Sequence, residues 1–429
     1  MSRKMKDSGV EWIGKIPEGW NVMPLKRLSE IQTGSSPDKK EGNNNYSNVN
    51  GIPWIKAENL GKFSPIRSTT EYLTENGCRS GRLYPPYTVY VCCIASIGKV
   101  GFSDVECSCN QQINGLSFNN TVNWKFGFYE TIASAIEHIA RSNKSVTPIL
   151  NATEEGNIKF AISSLTEQQQ IVHFLDRKCT AIDIAIEKTK KSIEKLEEYK
   201  KAVITKAVTK GIDPNVKMKD SGVEWIGEIP ENWDVTKTKY LFRILKRIAG
   251  QEGFDVISIT QKGLKIKDIK SNEGQIAENY SNYQFVFPGD FAMNHMDLLT
   301  GWVDLSILFG VTSPDYRVFH KINETSNDDY YKYVFQSLYF NKIYYGLAQG
   351  VAEVGRKRLQ APAFKELKLP CPPDNEQAKI ATDIKNKCIA IDALIAKKQN
   401  AIEKWEEYKK SLIYYAVTGK IDCRNEVIE

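Results

Sequence analysis

The chain carries the same text twice. Residues 4–20 read KMKDSGVEWIGKIPEGW and residues 217–233 read KMKDSGVEWIGEIPENW, differing only at Lys15/Glu228 and Gly19/Asn232. A second pair lies further along. Residues 165–213 open LTEQQQIVHFLDRKCTAIDIAIEK, and residues 374–422 open DNEQAKIATDIKNKCIAIDALIAK. Their continuations, KSIEKLEEYKKAVITKAVTKGID and NAIEKWEEYKKSLIYYAVTGKID, match as well. The stretches between, 21–164 and 234–373, share almost no sequence. The plan is therefore variable region, constant helix, variable region, constant helix. Repetition of this kind implies two copies of one unit related by a pseudo-twofold axis. Joining the tail, TGKID and onward, to Met1 would recreate the junction at 209–233. The organisation is circular, a ring of two units opened at one point.

The constant segments 165–210 and 374–429 are dominated by long helices. In the first, Ile171, Leu175, Cys179, Ile182, Ile186, Thr189, Ile193, Leu196, Val203 and Ala207 recur at steps of three and four, interrupted only by Lys200. In the second, Ile380, Ile384, Cys388, Ile391, Ile395, Lys398, Ile402, Trp405, Leu412 and Ala416 occupy the same series. That is a heptad seam with charge on the outer faces. Thr166 followed by Glu167-Gln168-Gln169 approximates a capping box, and Gly211 and Gly419 stand where helices stop. Some 40 residues of helix span about 60 Å. Neither stripe can be buried alone. A dimerisation stalk would serve an isolated heptad segment, but this helix is copied within one chain and each copy follows a globular region. An intramolecular antiparallel pair follows from the twofold relation, a rigid ruler with a variable region at either end. The expected fold class is α+β. A first globular domain of mixed helix and strand covers 1–164, the first spacer helix 165–210, the second domain 211–373, and the second helix with its tail 374–429.

The two variable regions share an outline. An early turn-rich stretch (Gly34-Ser35-Ser36-Pro37, then Ile52-Pro53-Trp54-Ile55-Lys56) is answered by Phe254–Thr260 and a lysine-rich segment. Strand-like runs follow at Thr88–Ile94 and Phe285–Phe291. A helix closes each region, Trp124–Arg141 and Tyr330–Leu347. Polar turns come next, Arg141-Ser142-Asn143-Lys144 and Gly355-Arg356-Lys357-Arg358.

Composition excludes more than it selects. Of 429 residues, 41% are hydrophobic and 26% charged, the balance of a soluble globular protein. No run of eighteen apolar residues offers a membrane span, and the N-terminus lacks the apolar core of a signal peptide. Nine cysteines without a secretory signal read as reduced thiols of a cytoplasmic protein. A net charge of +6 permits nucleic-acid binding without arguing for it.

Catalytic readings find little. Tyr84-Pro85-Pro86-Tyr87 and Cys371-Pro372-Pro373-Asp374 come nearest to an amino-methyltransferase motif. The first has a phenol where the amine acceptor belongs, the second ends wrongly, and no glycine-rich strand-turn-helix accompanies either. Both read as proline turns. No GxxxxGK[ST] phosphate loop occurs. Pro314-Asp315 with Glu366-Leu367-Lys368 is too common a pattern to support a nuclease. Cys92, Cys93, Cys107 and Cys109 lack the spacing of a zinc site and read as buried small side chains. His138, His173, His295 and His320 are scattered and read as structural. No metal site is expected.

The SGVEWIGxIPxxW blocks, the xEQxxI helix starts and the four-part layout resemble the specificity subunit of type I restriction–modification systems, the HsdS family, over essentially the whole chain. Asn110-Gln111-Gln112-Ile113-Asn114-Gly115-Leu116, Pro288-Gly289-Asp290 and Ser313-Pro314-Asp315-Tyr316 look like recurrent segments of that family's target-recognition domains. The Pro-Gly-Asp element is degenerate in the first region, where Pro85-Pro86-Tyr87-Thr88 stands. The resemblance implies that each domain enters the major groove at one half of an asymmetric, bipartite site in double-stranded DNA. The helix pair would set the spacer. Two modification subunits would dock on it, bringing S-adenosylmethionine and methylating adenine. Two restriction subunits would add ATP-driven, Mg2+-dependent translocation and cleavage. This chain would be a non-enzymatic recognition subunit with no cofactor of its own. The alternative is a coiled-coil scaffold or adaptor that binds proteins only; binding to DNA that weakens steeply with salt would tell them apart.

Arg and Lys suit guanine edges and phosphates, Asn and Gln suit adenine. The candidates for DNA contact are Lys56, Asn59, Arg79, Arg82, Lys99, Arg141, Asn143 and Lys144 in the first region. In the second they are Lys262, Lys265, Lys267, Asn294, Arg317, Arg356, Lys357 and Arg358. The cationic run 356–358, at a turn after a helix, is the foremost phosphate clamp.

Overall fold

The computed structural model describes residues 3–38, 44–143, 146–268, 279–348 and 357–425. The chain divides into two compact units, 1–189 with 400–429, and 190–399. Both boundaries fall inside the long helices, Leu165–Lys210 and Asp374–Val417, rather than at their ends. Each half-helix packs its apolar stripe into the globular region beside it, so the helices are shared between the units and do not form domains of their own.

In the first unit, Ile171, Leu175, Cys179, Ile182 and Ile186 enter one core with Leu412, Ile413, Ala416 and Val417. Lys409 Nζ meets Asp183 Oδ1 at 2.6 Å, and Gln170 Nε2 donates to the Arg424 carbonyl at 2.8 Å. Rising numbers on one helix thus meet falling numbers on the other, and the pairing is antiparallel. In the second unit Ile204, Ala207 and Val208 share a core with Ile380, Ala381, Ile384 and Cys388. There Lys200 Nζ reaches Asp392 at 2.7 Å, while Gly211 lies beside Glu376. The lysines that interrupt the apolar series are therefore ion-pair partners at equivalent positions of the two copies.

Of the other expected seam residues, Ile391 is buried, and Ile193, Leu196, Val203, Ile395 and Ile402 are half-buried. Trp405 departs from the expectation: it is 41% exposed and its ring lies 6.0 Å from that of Tyr408. Near the helix ends the buried set shifts to Ile204 and Val208, and to Ile413 and Val417. There each helix packs on a constant block as well as on the other helix, and a narrow seam widens into a globular face.

Each constant block is a hairpin, Met5–Asp7 with Lys15–Pro17 and Met218–Asp220 with Glu228–Pro230. Its closing tryptophan, Trp20 or Trp233, is buried. Gly419, with φ +69°, abuts Pro17 and Trp20; Gly211, with φ +73°, abuts Trp233 and Pro230. These left-handed residues end the helices as the sequence suggested. Lys420 Nζ donates to the Ile13 carbonyl at 2.7 Å, so the tail of the first unit closes on its N-terminal block. One junction is built twice, once within continuous chain.

The variable regions repeat a topology. A four-stranded antiparallel sheet runs Val100–Phe102, Val89–Cys92, Ile113–Phe118, Ser29–Thr33 in the first unit. In the second the order is Val303–Leu305, Phe291–Met293, Arg317–Lys321, Phe242–Leu245. A second sheet pairs Ile52–Ile55 in parallel with Cys107–Cys109, and the second unit keeps this pairing as the parallel bridge Val256 to Val311.

The run Phe285–Phe291 is not one strand. Gln284–Val286 and Phe291–Met293 belong to different sheets, and Pro288-Gly289-Asp290 makes the tight turn between them. Gly289 has φ +89°, and the Asp290 carboxylate accepts from the Phe287 N–H at 2.8 Å. In the first unit Tyr87 takes the glycine's place at φ +69°, and the Thr88 hydroxyl donates to the Pro85 carbonyl at 2.8 Å. The degenerate Pro85–Thr88 string is the same turn, built with a side chain in a region that favours glycine. The closing helices each break once: Trp124–Ala133 gives way to Ala135–Arg141 at Ser134, and Asp328–Phe340 to Ile343–Gly346 at Lys342, with φ +58°.

Candidate nucleic-acid interface

Three connections meet at one end of the four-stranded sheet in the first unit. After strand Val89–Cys92, the Cys93 N–H donates to the Gln112 carbonyl at 2.8 Å, and the Cys93 carbonyl accepts from the Leu150 N–H at 2.8 Å. The Ala95 N–H donates to the Pro148 carbonyl at 3.1 Å. The loop after one central strand, the loop before its neighbour and the polar turn after the helices are thus tied together. Ala95 adopts φ +62°, a conformation that non-glycine residues reach only when their surroundings impose it. Loops held by a rigid sheet, with exposed polar tips, are where binding residues concentrate. The second unit repeats the tie: the Leu359 N–H donates to the His295 carbonyl at 3.1 Å, just past Lys357 and Arg358.

On this scaffold the candidate side chains differ sharply. Arg79, on the short helix Glu75–Ser80, is exposed and has no side-chain partner among the described residues. So are Lys262 and Lys265, on the hairpin Ile257–Thr260 with Gly263–Ile266. Arg358 is exposed, and Lys357 Nζ lies 4.1 Å from the Tyr345 ring centroid. Arg356 and Lys144 lie outside the described residues.

Others are held within the protein. Lys56 forms an ion pair with Glu71 and lies 5.2 Å from the Trp54 ring. Asn59 accepts from the Lys56 N–H at 2.8 Å, a turn-fixing bond. Arg82 donates to the Thr33 carbonyl, Lys99 Nζ to the Ala57 carbonyl at 3.1 Å, and Arg141 pairs with Glu137 at 2.9 Å. Asn143 accepts from the Ile149 N–H at 2.8 Å, and Asn294 from the N–H groups of Met296 and Asp297. The Lys267 N–H donates to the Val256 carbonyl at 2.7 Å.

Arg317 is not a surface contact. It is 5% exposed, its Nη2 donates to the Leu359 carbonyl at 2.9 Å, and its guanidinium lies 4.7 Å from the Phe364 ring. Burial draws its pKa down to about 10. Its alternating place in a strand points it into the core, a fact hidden from a reading by residue type. Residue type alone does not single out Gln111 and Gln112, the first exposed and the second half-exposed, at the meeting point of the loops. Their amides match the donor–acceptor pattern of an adenine edge.

Cys92, Cys93, Cys107 and Cys109 are buried free thiols, and burial raises Cys93 to about 12 and Cys107 to about 11. Among the described residues no group of three or more His, Cys, Asp or Glu is arranged to hold a metal. No described helix is long and apolar enough to cross a membrane. Pro373 caps the start of the second long helix, its carbonyl accepting from the Glu376 and Gln377 N–H groups.

Fold and interface together define a class: an internally duplicated protein whose two like units share antiparallel helices and expose unlike loop ends. The model of the type I restriction modification DNA specificity domain matches residues 17–198 and again 230–404, and the chain belongs to that family. It is 30% identical over 289 residues to the type I restriction enzyme MjaVIII specificity subunit of Methanocaldococcus jannaschii, covering 63% of each chain. The type I restriction enzyme HindI specificity subunit of Haemophilus influenzae is 27% identical over 173 residues, 39% of this chain and 36% of that one. The matches thus span under two thirds of the length of these relatives. A chain from a solved structure concerned with assembly and conformational transition of the type I restriction–modification system superposes with TM-score 0.67. It covers 95% of this chain and 99% of the other at 12% identity, a likeness of fold.

Proposed function

We propose that the chain is the DNA-recognition subunit of a type I restriction–modification enzyme, each unit reading one half of a bipartite duplex site through the major groove. The observation that carries this is the pairing of one topology with two unlike loop ends. A symmetric reader would repeat its surface; a reader of two different sequences repeats only its scaffold. In this reading the antiparallel helices set the unread spacer and dock two modification subunits, which supply S-adenosylmethionine and methylate an adenine in each half. Two restriction subunits bring ATP and Mg2+, and this chain carries no catalytic step. The exposed cations Arg79, Lys262, Lys265 and Arg358 serve the backbone, and Gln111 and Gln112 serve base edges.

The test is to map methylated adenines in cytoplasmic DNA of a host carrying this chain with its modification subunit. A two-part motif with a fixed gap is expected, and exchanging residues 21–164 for those of a relative should change one half only. Change in both halves, or methylation without a motif, would end this reading. A protein-only scaffold would show no salt-dependent binding to duplex DNA.

A further inference from the structure

Both units bury a polar side chain at one and the same place in the four-stranded sheet. Asn114 pairs with Val91, which pairs with Val100; Arg317 pairs with Met293, which pairs with Val303. Asn114 is fully buried. It accepts from the Thr33 hydroxyl at 2.8 Å and donates through Nδ2 to Glu155 Oε2 at 2.5 Å. The other oxygen of Glu155 lies 3.2 Å from His138 Nε2, and neither side chain has any exposed surface. In the second unit the place of Glu155 is taken by Phe364. Each stands three residues before the carbonyl, Ile158 or Leu367, that accepts from the chain entering the sheet at Leu25 or Thr238. Arg317 stacks on Phe364 and donates to the Leu359 carbonyl.

These two nodes sit directly beneath the tied loops. Asn114 follows Gln112 by two residues and Gln111 by three. Glu155 and His138 bracket the turn whose Leu150 N–H is bound to Cys93. Arg317 grips Leu359, next to Arg358, from below, while the His295 carbonyl holds the same residue by its N–H. A packed core would be simpler to build from apolar side chains, because a buried polar group left unmet is destabilising. Satisfied, such a node fixes geometry more narrowly than apolar packing does, since its partners are directional. The two units build the node with different chemistry, a carboxylate between an amide and an imidazole in one and a guanidinium on an aromatic ring in the other.

We propose that Asn114 with Glu155, and Arg317 with Phe364, are positioning residues for base readout, each setting the register of its own unit's reading loops without touching DNA. Changing a node retunes one half-site and leaves the other. The inference rests on the half-site reading above.

The test uses the full chain with its modification subunit, scoring methylation of duplexes carrying one altered base in either half. Glu155→Gln, which turns the acceptor facing Asn114 into an amide, should cut discrimination at the first half-site about tenfold and leave the second within about twofold. Arg317→Met, similar in volume but unable to meet the Leu359 carbonyl, should do the reverse. The pair Asn114→Asp with Glu155→Gln restores one donor facing one carboxylate and should recover discrimination, as should Arg317→Lys in part. Hydrogen exchange at Leu150 and Leu359 should quicken only in the unit whose node is broken. If the wild type methylates without sequence preference, the half-site reading fails and this inference with it. If the wild type reads both halves while Glu155→Gln and Arg317→Met keep full discrimination in folded protein, the positioning role alone is overturned. Equal loss in both halves, or no recovery in the paired variant, overturns it too.

Discussion

Trp20 and Trp233 are copies of one residue at the end of one repeated block, both buried, yet they live differently. Trp20 donates through Nε1 to Glu167 Oε2 at 3.0 Å, and the Arg3 guanidinium lies 5.3 Å from its ring. Trp233 Nε1 has no partner among the described residues, and the equivalent carboxylate, Glu376, accepts from Asn232 at 3.3 Å instead. The lysine–aspartate pairs differ in the same manner. Lys409 has a side chain 8% exposed and lies 3.3 Å from the Phe63 ring, whereas Lys200, in the same ion pair, is 30% exposed. Identical constant residues acquire unequal worth from what the variable region or a neighbouring substitution lays over them. Equal sequence does not guarantee equal energy.

The largest expected effects test this at the tryptophans. Replacing either with Ala should cost about 3–5 kcal/mol, the usual penalty for emptying so large a buried site. Replacement with Phe separates them. Trp20→Phe deprives a mostly buried carboxylate of a donor and should cost about 1–2 kcal/mol more than Trp233→Phe, which loses no hydrogen bond. Urea unfolding of the two variants decides it, and equal midpoints would erase the distinction.

A smaller effect is expected at the lysines. Lys409→Ala removes a stem packed in the core and a cation over Phe63, and should cost about 1–2 kcal/mol. Lys200→Ala breaks an ion pair near the surface and should cost under about 0.5 kcal/mol. Added salt should narrow the second difference more than the first, because the exposed pair is the one that ions screen. If Lys200→Ala proves the more damaging, burial is not what ranks these pairs.

How much of this was written in the sequence depends on what each signal encodes. Repeats and heptads are properties of order along the chain, so the two copies, the helices and their antiparallel pairing were legible. Trp405 was misplaced because a 3.5-residue pattern marks the stripe a helix turns inward and not what covers it at each level; at this level Ile402 is only half-buried as well. The division of each helix between two units was invisible for the same reason: periodicity shows that a stripe is buried, and not by what. Of the interface, residue type identified amides and cations but not their direction. Asn59, Asn143 and Asn294 tie their side chains to backbone N–H groups of their own loops, and Arg317 lies in a strand whose alternation is too short to read. The glutamines at 111 and 112 lie in a motif of the family, but their exposure depends on the convergence of loops distant in sequence, which residue order does not encode.

Acidification should distinguish the units more gently. His295 and Cys93 occupy equivalent positions, each lending its carbonyl to a leucine N–H, Leu359 or Leu150. Burial, helped by Arg317 and Arg358, lowers His295 from 6.5 to about 4, while burial raises Cys93 to about 12. Between pH 4 and 6.5 the unfolded chain binds the histidine proton and the folded chain does not. The stability this site contributes is thus complete above pH 6.5 and is lost as pH falls toward 4. Partial solvent access holds the loss to about 1 kcal/mol. Cys93 stays neutral throughout that window, so the matching site in the first unit contributes no such slope. Hydrogen exchange at pH 7 and pH 5 should therefore show Leu359 loosening more than Leu150, and His295→Gln should flatten the difference. Equal loosening in the variant and the wild type would place the acid sensitivity elsewhere in the second unit.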